Sequence, residues 1–103
     1  MFELRRTPEF QGWLVSLADG RARTKVLSRM SNMSLGNVGP CKAVGGGVSE
    51  SKIDYGPGYR VYFVSRATRV IVLLAGGDKS TQQRDIRRAR ALAAGLGAIH
   101  GAI

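Results

Sequence analysis

The stretch Ser49–Thr81, SESKIDYGPGYRVYFVSRATRVIVLLAGGDKST, decides the fold. It reads as three consecutive antiparallel strands followed by a helix start. Val48 to Tyr55 is the first strand. Asp54-Tyr55-Gly56-Pro57-Gly58 is dense in turn-forming residues and reads as a hairpin loop. Tyr59 to Ser65 is the second strand. Its period of two sets Tyr59, Val61 and Phe63 on one face and Arg60, Tyr62 and Val64 on the other. Arg66-Ala67-Thr68 turns the chain again. Val70 to Leu74 is continuously apolar, as expected of a central strand buried on both faces. Gly76-Gly77-Asp78-Lys79 ends that strand, and Ser80 with Gln83 three residues on fits a capping box that opens a helix.

Outward from this stretch, the C-terminal helix is expected from about Thr81 to Leu96. Ile86, Ala89, Ala93 and Leu96 make its apolar face, and Arg84, Arg87, Arg88 and Arg90 spread over the others. Gly97 to Ile103, which holds the one histidine, His100, is expected to be a frayed tail. On the N-terminal side, Gly45-Gly46-Gly47 reads as a turn between a short extended piece, Cys41 to Val44, and the first strand. No Lys-Ser/Thr pair on a following helix supports a P-loop. Leu35 to Pro40 is a loop.

Phe2 to Arg6 alternates apolar and polar and reads as an edge or second-position strand. Thr7 is a candidate N-cap with Pro8 at the first helical position. Phe10, Trp13, Leu14 and Leu17 then recur at helical spacing. Beside Phe10 and Leu17, Trp13 is read as core rather than as a base-stacking platform. A second helix, from about Arg21 to Met33, sets Ala22, Val26, Met30 and Met33 on one face. Arg21, Lys25 and Arg29 form a stripe at i, i+4 and i+8, where like charges repel. That stripe is either tolerated surface or a phosphate-tracking face, and the second is preferred, as an auxiliary contact to RNA backbone. The pair reads as an αα-hairpin packed on one face of the sheet.

Composition narrows the chemistry. The 103 residues are enough for one domain with a small core. Sixteen Lys and Arg against seven Asp and Glu give a formal charge of +9, which points to a polyanionic partner. Twelve of the sixteen are arginine, suited to bidentate phosphate contacts. No apolar run is long enough to span a membrane, and the N-terminus lacks the apolar region of a signal peptide. With a single cysteine, Cys41, the expectation is a reduced, cytoplasmic protein. One Cys, one His and scattered carboxylates offer no metal set and no nucleophile–histidine triad. No cofactor is expected.

What remains is basic chemistry on a sheet. Lys52, Arg60 and Lys79 come from three adjacent segments, the last beside a helix N-terminus, and can converge on one phosphate. Arginine there would stabilise a developing phosphorane charge. A lysine crowded by other cations is disfavoured in its charged form and could act as a base. RNA supplies its own nucleophile, the 2′-hydroxyl. Three surface cations without a common ligand are the plain alternative.

The strings IDYGPGYRVYF and LLAGGDKSTQQRDIRRA, with an N-terminal strand running into a TPEF helix start, resemble the RelE/ParE superfamily. More narrowly they resemble the HigB-like addiction module killer toxins of bacterial type II toxin–antitoxin systems, over Phe2 to about Leu96. The resemblance implies an α+β, RelE-like fold: an N-terminal strand, an αα-hairpin, an antiparallel sheet of three to four further strands and a C-terminal helix. It implies endoribonuclease cleavage of messenger RNA, commonly on the ribosome, translation inhibition and growth arrest, and neutralisation by a cognate antitoxin. Arg60 matches the strand arginine that contacts the scissile phosphate, Lys52 a basic position on the preceding strand, and Lys79 the basic residue ending the last strand. Tyr62, Asp78 and Gln83 are neighbours that could assist. The chain departs from many members in having no tyrosine or histidine after Lys79 before His100, and in Ser51 standing where relatives carry an apolar residue. Two other functions stay open: a ParE-type gyrase poison, which generally lacks the basic set, and an inactive RNA-binding module.

Overall fold

In the computed structural model, described here for residues 1–97, one five-stranded sheet is covered on both faces by helices. The expected tail with His100 lies outside the described residues, Gly97 apart. The strands are β1 (Glu3–Arg6), β2 (Cys41–Gly45), β3 (Val48–Ile53), β4 (Tyr59–Arg66) and β5 (Val70–Asp78), in the order β1-β5-β4-β3-β2. The hairpins β2–β3, β3–β4 and β4–β5 are antiparallel, and β1 lies at the edge, parallel to β5. Helices α1 (Pro8–Ser16) and α2 (Gly20–Ser34) cover one face, and α3 (Gln82–Gly97) covers the other.

The alternation of β4 divides the interior. Val61 and Phe63 join Phe10, Leu14, Val26, Met30 and Met33 under α1 and α2. Tyr62 and Val64 join Val48, Val72, Leu74, Ala89 and Ala93 under α3. Trp13 packs at the rim of the first core, its ring centroid 5.8 Å from Phe10 and 6.4 Å from Tyr59. The helix starts follow from their caps. Thr7 Oγ1 accepts from Phe10 N at 3.0 Å with Pro8 in the first turn. Asp19 accepts from Arg21 N and Ala22 N. A bulge in β5 at Leu74 frees a carbonyl, which the Thr7 hydroxyl takes up at 2.6 Å. The same side chain therefore starts α1 and ties it to the sheet.

The glycine triplet turns the β2–β3 hairpin with φ of 94°, 65° and 79° at Gly45, Gly46 and Gly47, a left-handed run that other residues adopt only with strain. Three expectations need correction. The first strand ends at Ile53, so Tyr55 belongs to the hairpin loop. The fifth strand continues past Leu74 through Gly76 and Gly77 to Asp78. The capping box does not form: Asp78, not Ser80, caps, accepting from Ser80 N at 2.8 Å and Ser80 Oγ at 2.5 Å. It opens a 3-10 turn, Lys79–Thr81, that precedes α3. An aspartate already beside the turn captures the first free N–H before a serine further along can.

The two glycines in β5 are there for close packing. A Cβ on Gly76 would overlap the Trp13 ring, and one on Gly77 would overlap the Asp85 carboxylate from α3. Gly76→Ala is therefore expected to lower stability by about 1–3 kcal/mol, as overpacking does. In a Trp13→Leu background, where the ring is gone, the same substitution should cost clearly less. Urea unfolding of the four proteins measures this, and an unchanged midpoint for Gly76→Ala would show that the ring is not held against the strand.

Candidate anion site on the sheet

Two rows of side chains cross the sheet on the α3 face near the first turn of α3. In one, Lys42, Glu50, Tyr62 and Ala75 stand directly opposite one another on β2, β3, β4 and β5. In the next, Lys52 faces Arg60, and Arg60 faces Gly77. Two cations directly opposite on paired strands destabilise a sheet by a few tenths to about 1 kcal/mol, so the Lys52–Arg60 pair needs a compensating anion.

Glu50 supplies one charge. It is only 3% exposed, and its Oε1 lies 3.6 Å from Arg60 Nε and 4.0 Å from Lys42 Nζ. Its Oε2 accepts from Gln82 Nε2 at 2.9 Å, which ties the carboxylate to the first turn of α3. Arg60, 7% exposed, also donates from Nη1 to the Gly58 carbonyl at 2.8 Å. Its guanidinium is thus held by the hairpin loop on one side and the carboxylate on the other. A cavity of about 260 Å³ opens here, lined by Pro40, Cys41, Lys42, Glu50, Lys52 and Arg60. Three cations and one carboxylate leave its wall with a surplus of two positive charges. A phosphodiester has the charge and the acceptor oxygens to match.

Of the three expected cations, Lys52 and Arg60 stand together at the cavity. Lys79 is exposed at the end of β5 and is not part of the cavity wall. Among the expected neighbours, Gln83 is exposed, and Gln82 is the glutamine that reaches the site, because the 3-10 turn shifts the helix start. Asp78 lies at the edge of the site as a cap. Hydrogen bonds from the Ser80 hydroxyl and backbone, with the Arg60 charge nearby, hold its carboxyl below the usual range. Tyr62 is fully buried behind Glu50, and its hydroxyl has no hydrogen-bond partner. It forms the back of the site rather than its surface.

The α2 stripe divides. Arg29 is a tie: its Nη1 donates to Ser51 Oγ at 2.7 Å and to the Lys52 carbonyl at 2.8 Å. Ser51 Oγ in turn donates to the Val38 carbonyl at 2.7 Å. The buried serine is therefore fully engaged and joins α2, the 36–40 loop and β3, where an apolar residue could not. Arg21 and Lys25 remain outward, flanking an open groove with Tyr55. Lys25 Nζ sits 5.3 Å from the Tyr55 ring centroid, and Tyr55 Oη donates to Asp19 Oδ2 at 3.0 Å. Among the described residues, no three His, Cys, Asp or Glu side chains group to hold a metal ion.

The residue that sequence reasoning missed is Glu50. The signal was present: period two sets Val48, Glu50 and Lys52 on one face, and the hairpin register then brings Glu50 opposite Tyr62. A glutamate on a buried face is the one to examine.

No family model matches the chain. An uncharacterized protein of Haemophilus influenzae is 42% identical over 95 residues, which span 92% of this chain and 96% of that protein. The chain belongs to the same family as that protein.

The buried phenol makes a pH prediction. Burial first, and then the Glu50 and Asp85 carboxylates, raise the Tyr62 pKa above its ordinary value of 10.0. The folded state therefore keeps a proton that the unfolded chain releases. The stability this gives is fully present below about pH 10 and is lost as pH rises through the raised pKa. Tyr62→Phe should remove that alkaline loss. It should also leave neutral-pH stability unchanged or up to about 1 kcal/mol higher, since an unpartnered buried hydroxyl is removed. Denaturant midpoints from neutral to strongly alkaline pH check both statements, and parallel pH profiles for the two proteins would contradict the first.

Proposed function

We propose that the protein is the toxin of a bacterial type II toxin–antitoxin system, an endoribonuclease of the RelE-like kind that cleaves messenger RNA on the ribosome and is neutralised by a cognate antitoxin. The observation that carries this reading is the cross-strand pair Lys52–Arg60 at an anion-sized cavity with a single buried carboxylate beside it. The resemblance of IDYGPGYRVYF and GGDKSTQQRDIRRA to that superfamily supports it.

Each step can be assigned to a group at the cavity. Arg60 and Lys52 bind the non-bridging oxygens of the scissile phosphate and stabilise the charge that grows on them. The 2′-oxygen of the preceding ribose attacks phosphorus, and Glu50 accepts its proton at Oε1. Glu50 thereby supplies the proton acceptor that the sequence had left to a lysine. The bond from phosphorus to the 5′-oxygen breaks, leaving a 2′,3′-cyclic phosphate and a 5′-hydroxyl. The proton on that hydroxyl comes from the Lys52 ammonium. Arg60 keeps its orientation through Gly58 and Glu50, so little reorganisation is needed when the phosphate arrives. Lys79, at the end of β5, contacts flanking backbone, as do Arg21 and Lys25. Asp78 and Gln82 fix the local frame.

The test is primer extension on a translated message with purified protein, with and without ribosomes. Wild type should give discrete cuts. Arg60→Ala should lower cleavage by about 10²–10³-fold, the scale of a lost oxyanion donor. Glu50→Gln should lower turnover by about 10²–10⁴-fold while RNA still binds, the scale of a lost general base. Lys79→Ala should weaken binding more than turnover. Circular dichroism on each variant separates lost chemistry from lost folding. Intact messages together with trapped gyrase–DNA complexes would refute the nuclease reading in favour of a gyrase poison. RNA binding without cutting by wild type would make the protein a binding module. Expression without its antitoxin should arrest growth.

A further inference from the structure

The second concentration of charge lies on the same face of the sheet, at the other end of α3. A groove of about 510 Å³ runs between α3 and the glycine turn at Gly46, with Arg66, Arg87 and Arg90 on its walls and Ala91 and Ala94 beside them. No salt bridge joins these three arginines to a carboxylate among the described residues. The other two arginines of α3 are paired, Arg84 with Asp85 and Arg88 with Glu9. Arg87 and Arg90 are three residues apart on one helix flank, where like charges repel, and Arg66 adds a third charge. Such a group lowers the stability of the free protein and invites an external anion.

The groove is also shaped for one. Arg66 is anchored, its Nη2 donating to the Ala93 carbonyl at 3.0 Å, while its Nε finds no acceptor in the protein. Arg90 lies over Gly45 and Gly46, whose missing side chains leave room for the guanidinium: a Cβ at Gly45 would stand 3.1 Å from Arg90 Cζ. Arg66 and Arg60 lie on the same strand, six residues apart and therefore on the same face, roughly 20 Å from one another at a strand's rise. Gln83, Arg87 and Arg90, at i, i+4 and i+7, line the flank of α3 that connects the two places.

We propose that this groove is a second phosphate-binding subsite, which receives the backbone of the same RNA strand a few nucleotides from the scissile phosphate. The inference rests on the nuclease reading for its substrate and goes beyond it in naming where the flanking strand runs. The groove is lined by arginine, alanine and glycine, with no aromatic to stack a base and no amide to read one, so the contacts it offers are to phosphate and position a strand without choosing its sequence. The subsite therefore adds affinity for longer RNA without choosing the cut.

Uncleavable 2′-O-methyl oligonucleotides of one sequence, extended stepwise on either side, test it by fluorescence anisotropy over a range of salt. Wild type should gain affinity as the oligonucleotide grows beyond what the cavity alone can hold. The double variant Arg87→Ala/Arg90→Ala should lose that gain. Its salt slope on the longest oligonucleotide should fall by about 1.4, the value for two lost phosphate contacts on a single strand. Both arginines are exposed, so folding should be retained, which circular dichroism verifies. Equal loss on short and long oligonucleotides, or none on either, overturns the subsite. Unchanged RNA binding with weakened binding of the antitoxin overturns it too, and makes the groove a protein-docking surface. A wild-type protein that binds these oligonucleotides but cuts no message defeats the nuclease reading, while the length dependence still decides the groove.

Discussion

A sheet covered on both faces leaves its central strands no solvent side, and this constraint governs the molecule. Every side chain of β4 from Arg60 to Val64 is buried, and each must belong to one core or the other. Alternation sends Arg60 and Tyr62 under α3, so a guanidinium and a phenol enter an interior that would otherwise be aliphatic. A buried cation requires a counter-ion, and removing one partner of such a pair leaves an unpaired charge costing several kcal/mol. Glu50 is the answer one strand over, and Gln82 satisfies its second oxygen. For Gln82 to reach, the start of α3 must lie against the end of β5. That in turn requires a glycine at 77 beneath Asp85 and an early cap at Asp78. The local backbone choices around the site thus follow from one buried arginine.

The same logic separates residues that hold the fold from residues that await a ligand. Arg29 and Arg88 have protein acceptors on other elements and act as ties between them, while Arg84 pairs with its neighbour Asp85 within α3. Lys52 and Arg60 are different, although Arg60 too has an acceptor, the Gly58 carbonyl. Their direct opposition across a hairpin opposes folding, and one carboxylate shared with Lys42 does not balance three cations. An arrangement that costs stability and faces a cavity is better explained by what it binds than by what it supports.

Much of this was legible in the sequence, for identifiable reasons. The faces of β4, the apolar faces of α1 and α2, the Thr7-Pro8 start and the 54–58 hairpin loop are set by local periodicity and turn chemistry, which act within a few residues. What escaped depends on contacts between distant segments. The parallel pairing of β1 with β5 has no local signature. Gly76 and Gly77 read as a strand end, yet they continue β5 because Trp13 and Asp85 pack onto them. Ser51, polar where an apolar residue is usual, is accounted for by Arg29 and the Val38 carbonyl, which lie far from it in sequence. The choice between Gln82 and Gln83 turned on a three-residue 3-10 turn. Glu50 was legible only as a face: a glutamate in an alternating strand is ordinarily a solvent-facing residue, and α3 packed over the sheet buries it.

Net charge, the strongest clue in the composition, acquires a location only in the folded chain. Of the seven carboxylates, Glu3, Glu9, Glu50 and Asp85 pair with cations, and Asp19 and Asp78 cap helices. Only Asp54, exposed in the hairpin loop, has no such role among the described residues. The negative charge is therefore mostly occupied internally, and eight of the sixteen cations lie in three regions: the cavity with Lys42, Lys52 and Arg60, the groove with Arg66, Arg87 and Arg90, and the α2 flank with Arg21 and Lys25. Partners of opposite charge are drawn to where the field is uncompensated, not to where arginines are numerous. An extended polyanion can occupy more than one of these regions at once. Of the three, only the cavity sets a buried carboxylate, Glu50, beside its cations. On the proposed nuclease reading, that difference ties the chemistry to the cavity and leaves the other basic surfaces to hold the strand.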